Sequence, residues 1–188
     1  MNWLDTIFVL FAAFLAVFCE TYFQGVRHLL GAQIDLLPPL MVYASLSAGL
    51  GTVVSLAVCG GLWFDSLSTN PLGITVLPLF VIGLVVHYCR DLILREQLYA
   101  QFMLGLAASA VAPLFTVLSL IGTGDEPLLG WCSLWQWLVM ALGGAAFTPV
   151  CFYLFDQFNR AFSYQAQPET SFRPDREIKR DRGRHVDY

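Results

Sequence analysis

Positive charge is what this chain has least of. Across residues 1–158 the only lysine or arginine side chains are Arg27, Arg90 and Arg95, against nine acidic ones. Charged residues make up 13% of the whole, about half the usual share of a soluble globular domain. Other signatures are missing too. The five cysteines (Cys19, Cys59, Cys89, Cys132 and Cys151) form neither a C-x-x-C pair nor a cluster with histidine. Neither a metal site nor a disulfide framework is therefore expected, and buried thiols of this kind act as small hydrophobes. Cys132, near an expected helix end, is the most reactive of the five by position. No G-x-S-x-G, phosphate loop or dinucleotide fingerprint occurs, which leaves no catalytic or cofactor-binding residue to name and no reason to invoke nucleic acid. The N-terminus has no basic n-region and does not read as a cleaved signal peptide.

What is present is apolar sequence. Hydrophobic residues reach 57% and the mean hydropathy is +0.64, more apolar surface than so short a soluble chain can bury. The expected fold class is all-α, a polytopic membrane helix bundle over residues 1–158. A polar cytoplasmic tail, residues 159–188, follows, and its proline and mixed charge read as disordered. Seven of the ten basic residues lie in that tail, Arg160 to Arg184, where each that reaches anionic lipid adds roughly 1 kcal/mol of attraction.

A spanning helix needs about 20 apolar residues. Residues 3–23, 71–94, 98–121 and 131–158 each read as one span. Residues 36–64 are interrupted by Pro38-Pro39 and by Gly49-Leu50-Gly51. They read as one tilted helix, giving five spans, or as two breaking at residues 47–51, giving six. The basic tail and the Arg90–Arg95 turn are expected on the cytoplasmic side, and the acidic 122–130 loop outside. Asp65 and its STNPLG turn then face outward, level with Trp63, Trp131, Trp135 and Trp137. Six spans put the N-terminus inside; five put it outside and Arg27 inside, which the single Arg27 favours.

Asp65 stands out, because a carboxylate at the end of an apolar run is a functional hypothesis until weighed against its neighbours. At the outer interface beside Trp63 its ionisation is expected to cost little. With Ser66, Ser68 and Thr69 it is expected to satisfy backbone groups where one helix ends and the next begins. Pro71 suits the first turn of that next helix, and Gly60 and Gly61 let a neighbouring backbone approach. Glu20, Gln24 and Arg27 or His28 share a helix face, with Glu20 pairing to another helix or reaching the interface. His87, Asp91 and Arg95 form a polar stripe at a cytoplasmic helix end. No nucleophile accompanies the His–Asp pair, so its expected use is structural or docking. Asp156 and Arg160 repeat the i,i+4 pairing. Small residues at helical spacing (Ala12 and Ala16; Gly51, Ser55 and Cys59; Gly105, Ser109 and Ala112; Gly143, Gly144 and Thr148) are expected to pack helices within the bundle.

Two consecutive stretches, QIDLLPPLMVYASLSAGLGTVVSLAVCGGLWFDSLSTNPLG and ITVLPLFVIGLVVHYCRDLILRE, together resemble the rod shape-determining protein MreD family over residues 33–96. The positions that carry the resemblance are Asp35, Pro38, Gly60, Gly61, Asp65, Pro71 and Gly73. The resemblance implies a non-enzymatic bacterial inner-membrane protein of the cell-elongation machinery. Its implied partners are MreC, MreB, RodA and a class B penicillin-binding protein, in peptidoglycan synthesis. It implies a fold similar to the S components of energy-coupling-factor transporters, six-helix bundles, which favours six spans and a cytoplasmic N-terminus. The alternative function is such an S component, binding a small molecule. Ala12-x-x-x-Ala16 is a spacing those proteins use for docking. A membrane enzyme ranks last, for want of a nucleophile or metal set. The tail beyond Asn159 departs from shorter family members, so the resemblance implies nothing about its role.

Overall fold

The computed structural model describes residues 3–22, 31–68, 71–90, 97–123 and 130–163. Among them it is all-helical: α1 (Trp3–Tyr22), α2 (Leu37–Ser47), α3 (Leu50–Leu67), α4 (Val76–Cys89), α5 (Leu98–Thr123) and α6 (Trp131–Ser163). Three stretches, Leu50–Leu67, Leu98–Gly122 and Ser133–Phe158, are long and apolar enough to cross a membrane; α1, α2 and α4 contribute shorter apolar stretches. Gln24, Arg27, His28, Thr69, Asp91, Arg95, the acidic 124–129 loop and the tail from 164 onward lie outside the described residues.

The ambiguous 36–64 stretch is two helices. α2 stops at Ser47, Ala48 and Gly49 turn extended, and the Gly49 carbonyl accepts from the amides of Thr52 (2.9 Å) and Val53 (3.3 Å) to start α3. Pro38 and Pro39 do not interrupt a helix; they begin one. In a first helical turn the amides have no intrahelical carbonyl, so residues lacking N–H leave nothing unpaired. The two amides that remain there are both used. Leu37 N donates to Asp35 Oδ1 (2.9 Å) and Leu40 N to the Leu36 carbonyl (3.3 Å).

α2 is apolar all round and buried all round, from Leu37 to Leu46. A helix with no polar face belongs at the centre of a structure, and α2 packs against each of the other five helices. Its eleven residues rise only about 16 Å, and the segment 33–36 leads into it, with Ile34 packed over Gly143 of α6.

Helix contacts fix the chain direction. Thr6 of α1 hydrogen-bonds Thr52 of α3 through their hydroxyls at 2.8 Å. At the same end Phe8 meets Phe155 and Phe158 of α6 (centroids 5.3 and 5.1 Å), and Tyr43 of α2 stacks on Phe155 at 4.3 Å. The beginning of α1 and the end of α6 therefore share one end of the bundle. The two small-residue sets on α5 and α6 face each other: Gly105 sits under Thr148 and Gly144 under Ser109, closer than any Cβ would allow. Such faces gain packing energy by bringing backbones together. Ala12, Ala16, Ser55 and Cys59 are only half-buried and Gly51 is exposed.

Candidate functional site

The end of the bundle opposite the start of α1 and the end of α6 holds the polar chemistry. Asp65 closes the last turns of α3 and is 1% exposed, so it does not sit at a wet interface as its position beside Trp63 implied. Burial is tolerable because the carboxylate is filled with donors. Oδ2 accepts from the amides of Gly73 (2.8 Å) and Thr75 (3.1 Å), and Oδ1 accepts from the Thr75 hydroxyl. Thr75 immediately precedes α4, whose first-turn amides lack intrahelical partners. One side chain thus ties the end of α3 to the start of α4. The neighbouring serines serve α3 itself: Ser66 Oγ donates to the Trp63 carbonyl (2.8 Å) and Ser68 Oγ to the Asp65 carbonyl (3.3 Å).

The matching glycines and prolines divide by role. Gly61 lies against the α4 backbone: a Cβ there would come within 2.9 Å of Val76 Cα and 3.0 Å of its N. Gly60 instead faces a movable side chain, Leu37, at 3.3 Å. Gly73 has φ +94°, a conformation that favours glycine, and this presents its amide to Asp65. Pro71 is exposed in the turn and precedes α4 by several residues, so it is not a first-turn proline of that helix. Its carbonyl accepts from Ile74 N at 3.4 Å.

His87 sits at the opposite end. Its Nδ1 lies 3.0 Å from the Ser45 carbonyl, and since a carbonyl only accepts, Nδ1 carries the proton. Ser45 belongs to the last turn of α2, where carbonyls lack intrahelical donors. His87 therefore caps a second helix. Asp91 and Arg95, the rest of the stripe, lie outside the described residues.

Beside the Asp65 connector is a half-open cavity of about 1050 Å³ lined by the end of α1, residues 33–36, the end of α3, the start of α4 and stretches of α5 and α6. Thr75 and Ser68 form part of its wall, so connector and cavity share a boundary. Glu20, Gln33 and Asp35 enter from the other side. Gln33 Nε2 donates to Glu20 Oε1 at 3.0 Å, while Glu20 Oε2 is buried with no hydrogen-bond partner. Asp35, lining the same space, is 8% exposed. Among the described residues no three His, Cys, Asp or Glu side chains converge as metal ligands would.

The sequence singled out Glu20 and Asp35 separately, one for its helix face and one for its place before Leu-Leu-Pro-Pro. Their meeting was not legible, because the partners of Glu20 come from residues 33–36 rather than from its own helix. Gln33 and Thr75 were missed; they are ordinary polar residues whose significance lies only in what they face. No family model, curated protein or solved structure matches the chain.

Proposed function

We propose that this protein is a multi-pass component of the bacterial inner membrane that serves the cell-elongation machinery, an assembly protein without catalysis of its own. The resemblance over residues 33–96 supports this reading, as do three helices of membrane-crossing length and apolarity. The observation that carries it is the Asp65 connector. Asp65, an acidic residue within the resembling stretch, has its carboxylate engaged by donors from the turn that follows it, which is architecture rather than chemistry. In this reading the end bearing Asp65 faces outward, both chain ends face the cytoplasm, and the helix faces hold MreC and the synthase complex, with MreB and RodA among the assembly.

Depletion followed by microscopy, with co-purification of MreC, tests it. Loss of rod shape and recovery of MreC or the synthase with the tagged protein are expected. Normal shape with neither partner recovered contradicts the proposal. The cavity favours a second reading, a small-molecule-binding S component of an energy-coupling-factor-type transporter. Transporter ATPase genes beside this one would support that reading, and a gene for MreC immediately upstream would support the first.

A further inference from the structure

α5 and α6 are held together unequally along their length. Midway along the pair the backbones interlock: Gly105 lies under Thr148 and Gly144 under Ser109, with no room for a Cβ at either glycine. Ser109 and Thr148 are almost fully buried. One residue further along α5, Trp137 of α6 adds a cross-link, its indole Nε1 donating to the Ala110 carbonyl at 2.8 Å. Backbones this close leave the pair no slack at this level.

The next turn of α5 is built differently. Pro113 lies inside the helix. A proline has no N–H to give the carbonyl four residues back, here that of Ser109, and its ring crowds that carbonyl. Thr116 Oγ1 then donates back to the Ala112 carbonyl at 3.1 Å, a side-chain bond that bends helices. Two kinking devices therefore follow the lock directly. Beyond Pro113, the side chains of Leu114, Leu118 and Ile121 are each more than half exposed.

Pro113, Thr116 and Val117 line the half-open cavity, together with Phe64 and Leu67 of α3 and Pro78 and Leu79 of α4. The α3–α4 wall is braced. Asp65 ties α3 to the start of α4, and Gly61 sits against the Val76 backbone. The α5 wall has no such tie beyond its proline among the contacts described here.

We propose that α5 carries a hinge at Pro113: residues 114–123 swing relative to the braced α3–α4 end, while residues 98–112 stay locked to α6. The mouth of the cavity is then adjustable in width. A hinge of this kind absorbs the change at a few residues and leaves both flanks rigid. The device stands apart from the assembly reading, since an elongation component and a transporter subunit could each use it.

The test places pairs of spin labels on the full-length chain in phosphatidylethanolamine–phosphatidylglycerol liposomes. Labels attached through p-acetylphenylalanine leave the native cysteines untouched. One pair joins Leu118, beyond Pro113, to Leu67 on α3; the control pair joins Met103, before Pro113, to the same Leu67. All three positions are exposed. Double electron–electron resonance reads each distance distribution. The Leu118 pair is expected to show a distribution about twice as wide as the Met103 pair, and Pro113→Ala to narrow it to the control's width. Equal widths in the two wild-type pairs overturn the hinge, as does a wide Leu118 distribution that Pro113→Ala leaves unchanged. If Pro113→Ala does not accumulate, the two wild-type pairs decide. A negative result leaves the cell-shape experiment untouched.

Discussion

Asp65 on α3 accepts hydrogen bonds from both the backbone amide and the hydroxyl of Thr75, the residue from which α4 begins. With Gly73 N as third donor, the carboxylate replaces the carbonyls that a helix start lacks. Because the group is buried, removing it strands its donors, and an unsatisfied buried donor costs about 1–3 kcal/mol.

Asp65→Ala is therefore expected to destabilise the bundle by about 3–5 kcal/mol, since two amides and a hydroxyl lose their acceptor. Thr75→Val removes only the hydroxyl and is expected to cost less, about 1–2 kcal/mol. Thermal unfolding in detergent, followed by tryptophan fluorescence, ranks the two. Equal losses would show that the amide contacts contribute nothing.

Gly61→Ala and Gly60→Ala separate backbone contact from side-chain contact. At Gly61 the added methyl meets the Val76 main chain, which moves only if α4 moves; a loss of about 1–3 kcal/mol is expected. At Gly60 it meets the end of Leu37, and a loss below about 1 kcal/mol is expected. The same unfolding assay checks the order, and the reverse order would refute the close α3–α4 approach.

Gly73→Ala forces a Cβ into a left-handed conformation and is expected to cost about 1–2 kcal/mol. Pro71→Ala, in the exposed part of the same turn, is expected to stay within about 0.5 kcal/mol. A larger effect at Pro71 would mean that it does organise the start of α4.

His87→Ala removes the donor to the Ser45 carbonyl and is expected to cost about 1 kcal/mol. The loss should appear as earlier hydrogen exchange at the end of α2 rather than as loss of any activity. Unchanged exchange there would show that the contact does not hold α2.

Much of the fold was legible in residue pattern, and the reasons it ran out are physical. Gly49 marked a break because glycine tolerates an extended link between helices, yet only packing decides whether such a site bends or breaks. Pro38-Pro39 read as an interruption because a proline pair looks the same at a helix start as inside one; the acceptors at Asp35 and Leu36, which take the Leu37 and Leu40 amides, distinguish the two. Asp65 read as a connector from its neighbours in sequence. Its burial did not, since the covering residues belong to α4 and to the far side of the turn. His87 looked like one member of an i,i+4 stripe, whereas its partner lies 42 positions away. The cavity was not legible at all: it exists between elements, and no single element announces it.

The central claim, that Asp65 holds this bundle together for assembly, is tested most directly by expressing Asp65→Ala in cells depleted of the wild-type protein. Membrane level, MreC recovery and cell shape are measured together. The account predicts that all three fall. Wild-type accumulation with partners retained and normal growth would contradict it.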